Sequence, residues 1–110
     1  GYYGGKRYFK KETFDKFNKR YYSDKKVRRG LGFDKPQLDP EIKATCGCVS
    51  DESFGHSGFT GAYTWADPET EILYVFLSNR VFPTMENYGL VDEDIRTKIQ
   101  QIIQDAILTE

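Results

Sequence analysis

The sequence is poor in the features that most quickly assign a function: it has few cysteines and histidines, almost no net charge and no long apolar run. Its 110 residues include two cysteines and one histidine, and 16 basic residues face 17 acidic ones, for a net charge of −1. The longest apolar run, residues 72–77, is far shorter than the ~20 residues a bilayer-spanning helix needs. We therefore predict no transmembrane segment.

The charges are unevenly placed along the chain. Residues 1–30 carry 11 basic and three acidic residues, a net of +8, whereas residues 31–110 carry five basic and 14 acidic residues, a net of −9. Where basic and aromatic residues alternate, the basic side chains can bind phosphates and the aromatic rings can stack on nucleic-acid bases. However, no known nucleic-acid motif is present and the aromatics follow helical spacing, so we predict no nucleic-acid partner.

The length fits one domain with one core, and local patterns predict an α+β fold. Residues 12–20 read as a helix, with Phe14, Phe17 and Tyr21 spaced to face the core. Residues 27–33 read as a strand in which Gly30 and Gly32 indicate a bulge or a close backbone approach. Residues 34–53 show no steady period, as in functional loops.

The strongest local signal is a β-hairpin of residues 62–67 and 72–78 around an Asp-Pro turn. Because residues 72–78 lack polar alternation, we expect a central strand covered on both faces. Asp92 is a plausible N-cap for an amphipathic helix ending near Leu108. Its predicted core stripe comprises Ile95, Ile99, Ile102 and Ala106, with one or both of Ile103 and Ile107. Together these elements predict an antiparallel sheet of three or four strands, with the C-terminal helix packed across it and the 12–20 helix nearby.

The single histidine lies in a glycine-rich segment before the hairpin. Gly58, two residues after His56, would let a substrate lie against the strand without a Cβ in the way. Exposed main-chain N–H groups there could bind a carbonyl oxygen or a developing oxyanion.

The order of motifs resembles the C-terminal part of serine β-lactamase-like hydrolases, which include class C β-lactamases, D-alanyl-D-alanine carboxypeptidases, other penicillin-binding proteins and esterases. The resemblance is carried by Gly-His-Ser-Gly-Phe-Thr-Gly at 55–61, Ala-Tyr-Thr-Trp-Ala-Asp-Pro at 62–68 and a strand ending in Ser-Asn-Arg at 78–80. Segments 3–8 and 29–33 also look like parts that precede this strand. The resemblance implies a partial β-lactamase-like fold.

It further implies acyl transfer to a serine, without a metal or other cofactor, on a small-molecule or peptidoglycan-like acyl substrate. His56 would be catalytic, acting in the proton network as the first residue of a His-x-Gly third motif. Ser57 and Gly58 would contact substrate, and the N–H of Phe59 would form half of an oxyanion hole. The resemblance also suggests a bacterial envelope protein, periplasmic or extracellular.

The family's other two motifs are not recognisable in these 110 residues. No Tyr-x-Asn or Ser-x-Asn occurs, and the one Ser-x-x-Lys, Ser23 to Lys26, lies in a charged stretch without an apolar helix. We therefore expect residues 1–110 to be a single truncated domain whose nucleophile precedes residue 1, inactive alone and able to dimerise through a sheet edge or apolar face. The alternative is a self-standing, non-catalytic binding module with a basic N-terminal face.

Cys46 and Cys48 are separated by one residue. A redox pair would normally be Cys-x-x-Cys, a zinc site needs about four ligands, and a disulfide at this spacing strains the usual Cα separation. Two free thiols in a loop is the expectation.

Overall fold

The computed structural model describes residues 1–107 and confirms the α+β class. A two-stranded N-terminal hairpin precedes a helix, and a three-stranded antiparallel sheet precedes two further helices. The elements are β1 (Tyr2–Tyr3), β2 (Lys6–Arg7), α1 (Lys11–Asn18), β3 (Phe54–Ser57), β4 (Tyr63–Asp67), β5 (Ile72–Phe76), α2 (Gly89–Asp92) and α3 (Ile95–Ile107). No helix in this part of the chain has the length and apolar character needed to cross a membrane.

The sheet has the order β3–β4–β5, and its two faces differ sharply. Alternate residues of a strand point to opposite faces, and one face carries Tyr63, Trp65 and Tyr74, which are 2–7% exposed. Ile99 and Ile103 of α3 pack against these rings. The predicted hairpin and the helix packed across the sheet are therefore confirmed.

The prediction that the second hairpin strand is central was wrong. Within residues 1–107, β5 pairs with β4 alone, and the side chains on its outer face are open: Leu73 is 68% exposed, Val75 53% and Leu77 82%. An unbroken apolar run is typical of a strand covered on both faces, but the described structure covers only one.

The C-terminal helix begins later than predicted, and only part of its predicted stripe, including Ile99 and Ile103, faces the core. Asp92 ends α2 instead of capping the long helix, and α3 follows Asp94. Gln100 and Gln104 are buried, whereas Ile102, expected in the core stripe, is 67% exposed. The amide of Gln100 belongs inside because its Oε1 accepts hydrogen bonds from the loop and the sheet. The predicted helix end at Leu108 lies outside the described residues.

The N-terminal aromatic stripe is only partly in the core. Phe14 packs against the rings of Phe33 and Phe54, with centroids 6.4 and 5.0 Å away. By contrast, Phe17 is 46% and Tyr21 41% exposed. The helical spacing fails at Tyr21 because α1 ends at Asn18 and the chain continues extended.

The strand predicted at residues 27–33 was also wrong. The described structure has only an isolated bridge there, between Asp34 and Gly55. The expected close approach does occur: the N–H of Leu31 donates to the carbonyl of Phe17 at 3.1 Å, and a Cβ on Gly30 would collide with that same carbonyl.

The cysteine prediction was wrong as well, because Cys46 and Cys48 form a disulfide. The intervening Gly47 has φ +75°, which places it in the left-handed region. This conformation is available to glycine at little cost, and it lets the chain reverse so that the two Cα atoms lie 5.2 Å apart, within the usual disulfide range.

Candidate functional site

The segment around His56 follows an edge of the sheet that is only partly paired. Gly55 exchanges two hydrogen bonds with Asp34, at 2.8 and 3.0 Å. Main-chain groups of alternate residues in a strand point to the same edge, so those of Ser57 face the side taken by Asp34 at Gly55. The N–H of Gly58 turns back and donates to the carbonyl of Ala62 at 2.7 Å. Beyond Gly55, the edge of β3 is therefore open in the described structure.

Two arginines hold this edge in place through Asp34. The Asp34 side chain is 4% exposed, and its carboxylate accepts from Arg29 at 2.6 Å and from Arg28 at 3.1 Å. Because Asp34 also forms the main-chain bridge to Gly55, these ion pairs fix the start of β3. Sequence reasoning missed this role: Arg29 lies five positions before Asp34, and no local pattern marks the pair.

The His56 side chain is exposed and lies on the face of the sheet that α3 does not cover. Its cross-strand neighbours are Thr64, and then Val75 on β5. Nδ1 lies 2.8 Å from the carbonyl oxygen of Ser57. A carbonyl can only accept, so Nδ1 carries a hydrogen. In the neutral ring, Nε2 is then left as the acceptor.

An apolar surface flanks His56 on both sides. A groove of about 310 Å³ runs past His56, Thr64, Val75 and Leu77. A second depression of about 460 Å³ lies on the other side, where Leu73 contributes to its lining. Such concave, mostly apolar surfaces with few polar groups are typical of small-molecule sites.

Ser57 follows His56 directly, so its side chain leaves the opposite face of the strand. It contributes both to the groove at His56 and to a small polar cavity of about 140 Å³ whose lining includes Arg28, Lys43 and Arg96. The structure therefore keeps His56 and Ser57 in one strand but does not bring their side chains together.

Hydrogen bonds from the segment that follows β5 hold the turn after Gly58 in place. The carbonyl of Thr60 accepts from the N–H of Arg80 at 2.9 Å and from the Ser78 hydroxyl at 3.0 Å. The carbonyl of Gly61 accepts from Arg96 Nη1 at 3.2 Å. Three donors thus hold two successive carbonyl groups of the turn.

Phe59 stands at the exposed corner of this turn. Its ring is 69% exposed, and the Arg80 guanidinium lies 5.1 Å from its centroid and 5.3 Å from that of Tyr88. None of the hydrogen bonds within residues 1–107 uses the N–H of Phe59. Sequence reasoning missed Arg80, although the Ser-Asn-Arg ending of its strand was a usable signal.

Comparison with known proteins decides the family. The model of the β-lactamase family matches residues 7–94. The chain belongs to the β-lactamase family. No curated protein and no solved structure matches it. The match includes β3, β4 and β5 and places this β-lactamase-like chain among the serine hydrolases.

Serine β-lactamases use a Ser-x-x-Lys nucleophile, and the structure gives Ser23 a poor context for that role. Residues Ser23–Lys25 form one turn of 3₁₀ helix, and Lys26 adopts φ +58° beyond it. Both ends of the motif are exposed, and neither lines the groove or the depression at His56.

The buried tyrosines of the sheet are also poor proton carriers for β-lactamase chemistry. Burial raises the pKa of Tyr63 far above its usual value, although its hydroxyl donates to Gln100 Oε1 at 3.2 Å. Burial likewise raises the pKa of Tyr74. Both phenols therefore stay neutral at physiological pH. Within the described chain, no group of three or more histidine, cysteine or carboxylate side chains is placed to hold a metal ion.

Proposed function

We propose that this chain supplies the substrate-holding edge of a serine hydrolase that cleaves an ester, amide or lactam through an acyl-serine intermediate. The observation that carries the proposal is the open edge of β3 beside a braced turn. Membership of the β-lactamase family supports the reaction class, and the apolar groove at His56 supports a small-molecule or peptidoglycan-like acyl substrate.

In this proposal the acyl group lies along β3, with its carbonyl oxygen accepting from the N–H of Phe59. That donor is one half of an oxyanion hole, and the N–H of the nucleophilic serine is the other. Donors fixed in advance stabilise developing negative charge without reorganising during the reaction. The bracing of Thr60 and Gly61 by Arg80 and Arg96 provides this fixity.

His56 contributes to the proton network. Its Nδ1–H is held by the carbonyl of Ser57, so Nε2 is the nitrogen able to accept a proton on the groove side. Gly58 keeps the approach to the strand open, because a Cβ there would point into the groove near Ala62. The N–H of Ser57 donates to the substrate as in an added strand, while its carbonyl is held by His56.

The nucleophile and its lysine come from sequence outside these 110 residues, since Ser23 is exposed and away from the groove. A bacterial envelope setting, periplasmic or extracellular, fits this chemistry and the frequent secretion of β-lactamase family proteins.

The test is whether the chain binds an acyl substrate reversibly without being acylated. Saturation-transfer NMR should detect benzylpenicillin binding, while intact-mass spectrometry should show no penicilloyl adduct and a reporter cephalosporin should not be hydrolysed. A Ser23→Ala variant should behave identically. A stoichiometric adduct that Ser23→Ala abolishes would overturn the assignment of the nucleophile, and absence of binding would overturn the substrate edge.

A further inference from the structure

A further concave site, apart from those near His56, lies between α1 and the segment before β3. This basic cleft has a volume of about 590 Å³, with Asn18, Arg20 and Lys35 at its base and Asp51 and Glu52 among its other lining residues. None of its lining residues contributes to the groove at His56. Its role is therefore separable from acyl transfer.

Two cations line the cleft, one buried and one partly buried. Lys35 is 3% exposed, and its Nζ donates to Asn18 Oδ1 at 3.1 Å. The Arg20 side chain is 17% exposed, and its Nη2 donates to the carbonyl of Pro36 at 3.0 Å. Asn18 is itself fixed, because its Nδ2 donates to the carbonyl of Glu52 at 3.0 Å. Neutral oxygens thus orient both cations, and both Nη atoms of Arg20 also lie 3.5 Å from Asp51 Oδ1.

Neither cation has a buried anionic partner in the described structure. Lys35 forms no ion pair there, and the carboxylate nearest to Arg20 belongs to Asp51, at 3.5 Å and 87% exposed. Buried charges are normally paired, so the buried ammonium of Lys35 leaves a positive charge for an anion in the cleft.

We propose that the basic cleft binds a small organic carboxylate, recognised by the guanidinium of Arg20 and the ammonium of Lys35. Arginine presents N–H donors in a planar fork that matches a carboxylate, and such charge-assisted hydrogen bonds are among the stronger ones. The volume is in the range of small-molecule sites, so a ligand body fits beside the carboxylate.

The charge of the lining selects a singly charged anion. Four cations and three carboxylates line the cleft, a net of one positive charge. One carboxylate balances this charge, whereas a phosphate dianion would meet Asp51 and Glu52 with excess negative charge. Burial, followed by the charge of Arg20, lowers the pKa of Lys35 to about 8, so its amine is still mostly protonated at pH 7.

The experiment is a titration of ¹⁵N-labelled chain with acetate and with N-acetylglycine at pH 7, with ionic strength held constant by sodium chloride. The Nε–H signal of Arg20 and the amide of Lys35 should shift saturably. Arg20→Lys, which keeps the charge but loses the fork, and Lys35→Met should each weaken binding about tenfold or more. Lys16→Met, an exposed lysine on α1, should leave it unchanged.

The outcomes separate clearly. Shifts that chloride reproduces, shifts without saturation, or shifts that both cleft variants retain would overturn the site. Tighter binding of inorganic phosphate than of acetate would overturn the carboxylate assignment. Because Arg20→Lys preserves the charge, a folded variant is available even if Lys35→Met is unstable.

Discussion

The buried amine of Lys35 makes the stability of this protein depend on pH in an unusual direction. Its pKa falls from an ordinary 10.5 to about 8, first because burial removes water from the ammonium and then because the charge of Arg20 repels it. A lysine whose pKa is lowered by folding costs stability while it is protonated in the folded state. That cost is relieved as the pH rises and the folded amine loses its proton.

The change in the free energy of unfolding, and the pH range in which it occurs, follow from the linkage between folding and proton binding. Below pH 8 the folded and unfolded chains both hold the proton on Lys35, so the free energy of unfolding does not change through this group. Between pH 8 and 10.5 the unfolded chain binds more protons, and the free energy of unfolding rises with pH. At 1.36 kcal/mol per unit, the gain from pH 7 to 9.5 is about 2 kcal/mol.

The assay is urea unfolding at several values between pH 7 and 9.5, in buffers without carboxylates and with the disulfide intact. The window ends at 9.5 because Tyr63 and Tyr74 have raised pKa values in the folded state, so ionisation of the unfolded tyrosines near pH 10 would oppose the gain. Lys35→Met should remove the rise, and Lys16→Met should keep it. A wild type whose stability is flat or falls across this window, or a Lys35→Met variant that still rises, would refute the reasoning.

Three further predictions concern the sheet and the turn. Gly55→Ala should lower the free energy of unfolding by about 3 kcal/mol in chemical denaturation, because its Cβ would overlap the carbonyl of Thr64 and the indole of Trp65; a loss below about 0.5 kcal/mol would contradict the packing. Arg96→Met should speed amide exchange in the turn about fivefold, because it removes the hydrogen bond from Arg96 Nη1 to the carbonyl of Gly61, worth about 1 kcal/mol, and unchanged exchange at Gly61 would show that Arg96 does not brace it. Val75→Lys should reduce self-association in analytical ultracentrifugation, because it charges an exposed apolar face beside an open edge; equal association of both proteins would argue against a dimer through this face.

The hairpin of β4 and β5 could be predicted because its causes are local. Aromatic residues alternate along β4, and Asp67 begins the turn, where its Oδ1 accepts from the N–H of Glu69 at 3.0 Å. Whether β5 is a central or an edge strand could not be predicted. An apolar run shows that a strand can be buried on both faces, but not whether another part of the structure covers it. In the described structure nothing covers Val75 or Leu77.

The isoleucines of α3 predicted only part of its buried face, because distant polar partners also determine which side chains lie inside. Gln100 turns inward to accept from the N–H of Cys46 at 3.0 Å and from the hydroxyl of Tyr63 at 3.2 Å. These partners lie 54 and 37 positions away in sequence. Periodicity records which side chains are apolar, not which polar ones find partners inside.

The candidate site was predictable as a segment and not as a constellation. The glycine-rich segment after His56 marks an open strand edge, because it gives close backbone access. Its bracing by Arg80 and Arg96, and the pairing of Asp34 with Gly55, depend on contacts between segments that no local pattern records. The basic cleft could not be predicted for the same reason: its lining residues come from separate segments, and no local pattern marks Lys35.

The most direct test of the substrate edge is amide chemical-shift mapping of the ¹⁵N-labelled chain with benzylpenicillin. We predict that the largest shifts fall on the N–H groups of Ser57 and Phe59. Gly58→Ala should abolish these shifts, because the added methyl narrows the groove. The variant should keep its fold, since that methyl makes only ordinary contacts with Ala62. Gly89→Ala, which also has space for a methyl, should leave the shifts intact. Shifts elsewhere with these two amides unmoved, or equal shifts in the Gly58→Ala variant, would contradict the assignment of β3 as the substrate-holding edge.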